Sequence, residues 1–196
     1  MVRLRVATVD DKRDFVSLIL ISAPYFPVLF GKRVKMLLKS MFSSRSNLFS
    51  FTHVCVAEYQ NRVVGMILSY DWESKRREDL KTGFIMFKKL GFEMFQKIRV
   101  FMRFNSTVGK LEKGDYYISN IAVYPEFRGM GIGRKLMLKA EEFAYPSQRL
   151  VLDVEKENIN AIRFYKDLGF NIINEFEIKL TPDKFLNFYR MEKDLN

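Results

Sequence analysis

Apolar and polar residues alternate in seven stretches of this chain: RLRVATV (3–9), HVCVAEY (53–59), VVGMILSY (63–70), YYISNIAVY (116–124), RLVLDV (149–154), FNIINEFEIKL (170–180) and FLNFYRMEKDL (185–195). A period of two predicts strands. The second and third read as a hairpin around Gln60-Asn61-Arg62, without the favoured Asn-Gly pair. Helical spacing fills the gaps. Asp10 or Asp11 can cap a helix ending near Ser22, and a basic amphipathic stretch from Gly31 to about Phe42 is a second. A helix opening in the glycine-rich RGMGIGRK (128–135) runs to about Ala144 and is stopped by Pro146; NAIRFYKDL (160–168) is a short helix with Gly169 as its C-terminal cap. Between 71 and 114 lies a long connection in which Phe87, Leu90, Met94, Ile98 and Phe101 recur at helical spacing.

The glycine stretch sits between a strand and a helix, where backbone N–H groups and the positive end of a helix dipole hold anions. Phosphate is the natural guest. Two nucleotide loops fail by spacing. In G-x-x-x-x-G-K-[ST], Arg134 stands where the second glycine belongs. G-x-G-x-x-G fails from Gly129 at Arg134 and from Gly131 at Leu136.

Composition narrows the classes further. The chain has 196 residues, enough for one elaborated domain, and its net charge of +10 reports attraction to anions without choosing among them. One cysteine, Cys55, allows no intrachain disulfide, and one histidine, His53, forms no zinc-ligand cluster, so no metal is expected. The apolar run 15–30 is broken by Pro24 and Pro27, is too short to span a bilayer comfortably, and follows Asp10, Asp11 and Asp14, unlike a signal peptide. A cytoplasmic protein with no membrane span is expected.

The pattern R-x-x-G-x-G fits Arg128, Gly131 and Gly133, preceded by IAVYPEF. Some 30 residues on, N-x-x-A-x-x-[LF]-Y-x-x-x-G-F fits Asn158, Ala161, Phe164, Tyr165, Gly169 and Phe170. In these two motifs the chain resembles the GCN5-related N-acetyltransferases (GNAT). The resemblance implies an α+β fold: a mixed, mostly antiparallel sheet of about seven strands with flanking helices. Here a single domain, 1–196, would carry a helical insert at about 71–114 before the cofactor-binding strand. It also implies acetyl-CoA as co-substrate and an amine acceptor, with nucleic acid an improbable partner and a homodimer allowed.

By that resemblance Arg128, Gly129, Met130, Gly131, Ile132, Gly133 and Arg134 surround the pyrophosphate. Ile121, Ala122 and Val123 pair through their backbone with the amide-bearing pantetheine arm, a strand-addition geometry. Val123 N–H is the expected donor to the acetyl oxygen. Asn158 bonds the cofactor arm or Tyr165, or else only starts its helix. On that helix Ala161, Phe164 and Leu168 share an apolar face, displacing Tyr165 by roughly 100° toward the cleft. A phenol, with a reference pKa of about 10, can protonate a leaving thiolate; the alternative is that Tyr165 packs against the ligand. Relatives carry a carboxylate base five residues before the alanine of IAV, where this chain has Tyr117, or five before the motif asparagine, where it has Asp153. Asp153 is accordingly the expected base, acting through water, or a positioning group. Cys55 lacks an adjacent base, which disfavours an acyl-enzyme. The insert packs onto the core, walls the acceptor site, or faces a partner or membrane; Pro24 to Phe30 is the other expected acceptor wall. The competing class is a module on the same fold that senses acyl-CoA without turnover or binds nucleic acid through its basic surface.

Overall fold

The computed structural model describes residues 1–91, 107–181 and 183–195. The seven expected strands form one sheet: β1 (Arg3–Val6), β2 (Val54–Tyr59), β3 (Arg62–Asp71), β4 (Asp115–Val123), β5 (Arg149–Glu155), β6 (Asn171–Thr181) and β7 (Lys184–Asp194). Their order is β1-β2-β3-β4-β5-β7-β6. Every neighbouring pair is antiparallel except β4 and β5. The β2–β3 turn places Gln60 at φ 49° and Asn61 at φ 59°. A tight hairpin demands that left-handed pair of dihedrals, and asparagine tolerates it.

Helices among the described residues are α1 (Lys12–Ser22), α2 (Phe26–Phe30), α3 (Val34–Phe42), α4 (Trp72–Leu90), α5 (Ile132–Ala144) and α6 (Ile159–Lys166). One sheet face carries α1 to α4 over a core including Phe15, Leu18, Leu37, Phe42 and Met66. The other carries α5 and α6 over Ile67, Leu136, Ala140, Leu152 and Phe170. No single helix among the described residues is long and apolar enough to cross a membrane.

Two local expectations are corrected. Asp11 does not cap α1 with its side chain. Its carboxylate accepts from the Thr8 amide at 2.7 Å and from the two terminal guanidinium nitrogens of Arg5 at 2.8 and 2.9 Å, pinning β1 to the turn before the helix. In α4 the buried stripe is Ser74, Glu78, Thr82, Met86 and Leu90, whereas Phe87 is 57% exposed. The hydrophobic reading missed this face because three of its five members are polar. Their bonds are made internally: Glu78 meets His53 Nε2 at 2.9 Å, and the Thr82 hydroxyl donates to the Glu78 carbonyl while accepting from the Leu48 amide. Met94, Ile98 and Phe101 lie outside the described residues.

The feature that shapes the site is a fork. β4 and β5 pair only from Asp115 opposite Arg149 to Ile118 opposite Leu152. Beyond that point β4 stays with β3 as far as Val123 opposite Gly65, and β5 stays with β7 as far as Glu155 opposite Phe188. The β3–β4 register slips where the fork begins, from Ser69 opposite Ile118 to Leu68 opposite Asn120. Ser119 is the extra residue of a bulge, a device that bends a strand away from its neighbour.

Candidate active site

The fork opens a cleft of about 730 Å³. One wall is the free edge of β4. Tyr124 N–H donates to the Val64 carbonyl at 2.9 Å, on the β3 side. Backbone polar groups alternate along a strand, so the N–H groups of Val123 and Ile121 face the opposite edge, from which β5 has departed. Their side chains stay in or against the core: Ala122 is buried on the α1 face, while Ile121 and Val123 pack against the α5 face. Sequence reasoning gave all three a backbone role; the alternation leaves Ile121 and Val123 on the open edge and turns the Ala122 backbone toward β3.

At the end of β4, Gly129 and Gly131 adopt φ of 80° and 72°, and Gly131 is the N-cap of α5. A Cβ at either would meet no atom within 4 Å, so the backbone dihedral alone requires glycine. The first bond of α5 runs from Lys135 N–H to the Gly131 carbonyl. The amides ahead of Lys135 therefore have no partner within the helix and are available to an anion. Gly133 has a different reason. A Cβ there would lie 3.3 Å from Phe164 Cζ, so the first turn of α5 rests directly on the ring from the second motif. Arg128, Gly129, Gly131, Ile132, Gly133 and Arg134 all line the cleft. The Met130 side chain is 45% exposed and is not among the lining residues. Arg128 Nε donates to the Val123 carbonyl at 3.3 Å, joining the turn to the strand edge.

α6 forms the opposite side. Asn158 is its N-cap, its Oδ1 accepting from Ala161 N–H at 3.2 Å, and it also lines the cleft. The helix closes with Gly169 at φ 90° and Phe170 N–H bonded to the Tyr165 carbonyl. Its buried positions are Ile162 and Tyr165, with Ala161 and Phe164 half-buried; the expected displacement of Tyr165 from the packed face is reversed. Tyr165 nevertheless lines the cleft, its ring between Phe164 and Phe170. Burial pushes its phenol well above the ordinary range, so it stays protonated throughout the neutral and mildly alkaline range.

Asp153 stands at the fork as the first β5 residue past the parallel pairing. Its side chain is 1% exposed and both oxygens are engaged. Oδ1 accepts from Arg190 Nε at 2.9 Å. Oδ2 accepts from Arg190 Nη2 at 3.0 Å, the Tyr117 hydroxyl at 3.0 Å and the Gly109 amide at 2.7 Å. The two positions from which relatives recruit a base thus hold Tyr117 and Asp153, bonded to each other. Two residues further along β5, Glu155 lines the cleft half-buried, and burial together with the nearby Glu157 raises its carboxyl above the usual range, against an opposing pull from Lys184. Sequence reasoning missed Glu155, although the period of two on β5 puts it on the same strand face as Asp153. It also missed Arg190 and the bulge at Ser119, neither of which has a local signature.

Cys55 is 2% exposed and burial raises its thiol, which leaves no accessible thiolate. Among the described residues no three His, Cys, Asp or Glu side chains are grouped to hold a metal ion.

The family model described as "Acetyltransferase (GNAT) family" matches residues 18–170. An uncharacterized N-acetyltransferase of Methanocaldococcus jannaschii is 37% identical over 107 residues, 52% of this chain and 43% of that protein. The chloroplastic GCN5-related N-acetyltransferase 4 of Arabidopsis thaliana is 39% identical over 62 residues, 31% of this chain and 21% of that protein. The matches thus span less than half the length of these curated relatives. Among solved structures, an N-acetyltransferase from Staphylococcus aureus Mu50 superposes with a TM-score of 0.75 at 19% identity, covering 97% of this chain and 100% of the other. A putative acetyltransferase from Salmonella typhimurium, solved with its cofactor acetyl-CoA, gives 0.62 at 18% identity, covering 100% and 95%.

Proposed function

Because this chain belongs to the GNAT acetyltransferase family, we propose that it transfers an acetyl group from acetyl-CoA directly to a primary amine. The observation that carries this reading is the free edge of β4 running into the glycine turn at the start of α5. That edge offers successive amide donors for an amide-bearing chain, and the turn offers a nest of amides for a diphosphate. Acetyl-CoA supplies the acetyl group as a thioester. Ile121 and Val123 hold the arm through their N–H groups, and Val123 N–H donates to the acetyl oxygen as negative charge develops there. Arg128 and Arg134 flank the phosphates. Tyr165 gives its proton to the departing thiolate while the amine nitrogen bonds to the acetyl carbon and the carbon–sulfur bond breaks.

The amine must also lose a proton. Asp153 would have to give up one of four donors to accept it, whereas no hydrogen bond to the Glu155 carboxylate is found among the described residues. We therefore assign the acceptor role, through water, to Glu155, and read Asp153 as the group that fixes the fork. A carboxylate whose pKa is raised is also the stronger base near neutral pH. Direct transfer in a ternary complex fits the sequestered Cys55.

Calorimetry should give one saturable acetyl-CoA site, and acetyl-CoA should release thiol in the presence of a mixed panel of amines and peptides. Absence of binding ends the proposal. For the base, kcat/KM should fall on the acid side with an apparent pKa above the reference glutamate value of about 4.3. Glu155→Gln should remove that limb and Asp153→Asn should retain it; the reverse pattern returns the role to Asp153.

A further inference from the structure

A second cavity, of about 100 Å³, adjoins the cleft and shares Tyr25, Ser119 and Asn120 with it. It lies between α2, α4 and the β3–β4 pair, and the rings of Tyr25, Phe26, Phe49, Tyr70 and Tyr117 are among its walls. Burial raises the phenols of Tyr25, Tyr70 and Tyr117, so all three are uncharged. Among the described residues the one carboxylate on the wall, Asp79, is matched by Lys75 at 3.1 Å. The described lining therefore offers no spare negative charge for a cation. The neck is polar and neutral: Ser119 Oγ donates to Asn120 Oδ1 at 3.1 Å, and Asn120 Nδ2 donates to Ser22 Oγ at 2.9 Å.

One residue distinguishes this cavity from an ordinary packing defect. Gly83 lies in the middle of α4 and lines the cavity. Its φ is not in the left-handed region, and a Cβ there would meet nothing within 4 Å. Neither backbone nor packing requires glycine at a position where it weakens the helix. What its missing side chain preserves is the space.

We propose that this cavity seats the acceptor: it takes the uncharged, short branched aliphatic body of a primary amine and presents the nitrogen at the neck of Tyr25, Ser119 and Asn120. The size follows from comparison, since an apolar cavity of about 150 Å³ holds a benzene ring. The charge preference follows from the matched Lys75–Asp79 pair. The proposal rests on the transfer reading above for the identity of the reaction, though not for binding itself.

The experiment compares 3-methylbutylamine, a short peptide with an N-terminal leucine, and 1,4-diaminobutane as acceptors, in the wild type and in Gly83→Leu. The two aliphatic acceptors separate a free amine from a peptide N-terminus as the source of the same group. At least one should exceed the diamine tenfold in kcat/KM. Gly83→Leu should lower that value at least tenfold, leaving acetyl-CoA affinity unchanged and the melting temperature no lower. Ligand-observed NMR gives a readout free of turnover: 3-methylbutylamine should bind the wild type and not Gly83→Leu. If no acceptor is acetylated but this binding difference appears, the transfer reading fails and the cavity assignment stands. A preference for the diamine, or equal kinetics and equal binding in the two proteins, overturns it.

Discussion

The two halves of β4 are one strand with two destinies. From Tyr116 to Ile118 it is paired on both sides, to β3 and to β5, and its contacts, with those of Asp115 before it, are those of a structural strand. Asp115 accepts from Arg149 Nε at 3.0 Å and from the Glu112 amide at 2.7 Å, and Tyr116 shares a hydrogen bond with Ser69. From Ile121 to Val123 the side chains still pack in or against the core, yet one backbone edge has no strand against it. The transfer proposed above rests on what this half leaves unpaired. A strand can thus become a binding surface without a single unusual side chain, provided its neighbour is made to leave.

The sharpest way to break the contrast is at the fork itself. Asp153→Asn leaves Arg190 buried without its counter-charge and should cost about 3–5 kcal/mol of stability, read by denaturant unfolding. An equal loss of activity at full stability would instead place Asp153 in the chemistry. Next, Tyr165→Phe should leave acetyl-CoA affinity unchanged and lower kcat about 100-fold, equivalent to about 2.7 kcal/mol in the barrier. If kcat holds, the open half binds without an acid from α6. A smaller effect tests the glycine turn. Gly131→Ala forces a side chain into the left-handed region at a cost of about 1–2 kcal/mol and should weaken acetyl-CoA binding. Gly133→Ala asks only that the Phe164 ring shift by a few tenths of an ångström. Its effect should be smaller, and an equal effect would mean that the turn is sensitive to bulk rather than to conformation.

Much of this molecule could be read along the chain because its signals are local. Alternation located all seven strands, the Gln60-Asn61 turn was visible between two of them, and Gly169 closes α6 as its position suggested. The two motifs brought Gly131, Gly133, Asn158 and Tyr165 to one cleft. What escaped was non-local. Asp153 is saturated by Arg190, 37 residues later, and by Gly109, 44 residues earlier, so its type and spacing say nothing about its spare capacity. The buried face of α4 was hidden because Ser74, Glu78 and Thr82 are polar residues that find partners only in the folded chain. Gly83 carried no signal along the chain, because the cavity it lines exists only once α4 lies beside α2 and the sheet.

The free edge of β4 also bears on what can reach it. Unpaired strand edges on an outer rim recruit other chains and seed aggregates. This one is turned inward, across a wedge whose far side is β5, so a foreign strand has no approach along the sheet plane. An extended ligand threaded from the glycine turn can complete the ladder where a second polypeptide cannot dock. The same break in the sheet that leaves these amides unpaired therefore keeps them off the outer rim, where another protein backbone would meet them.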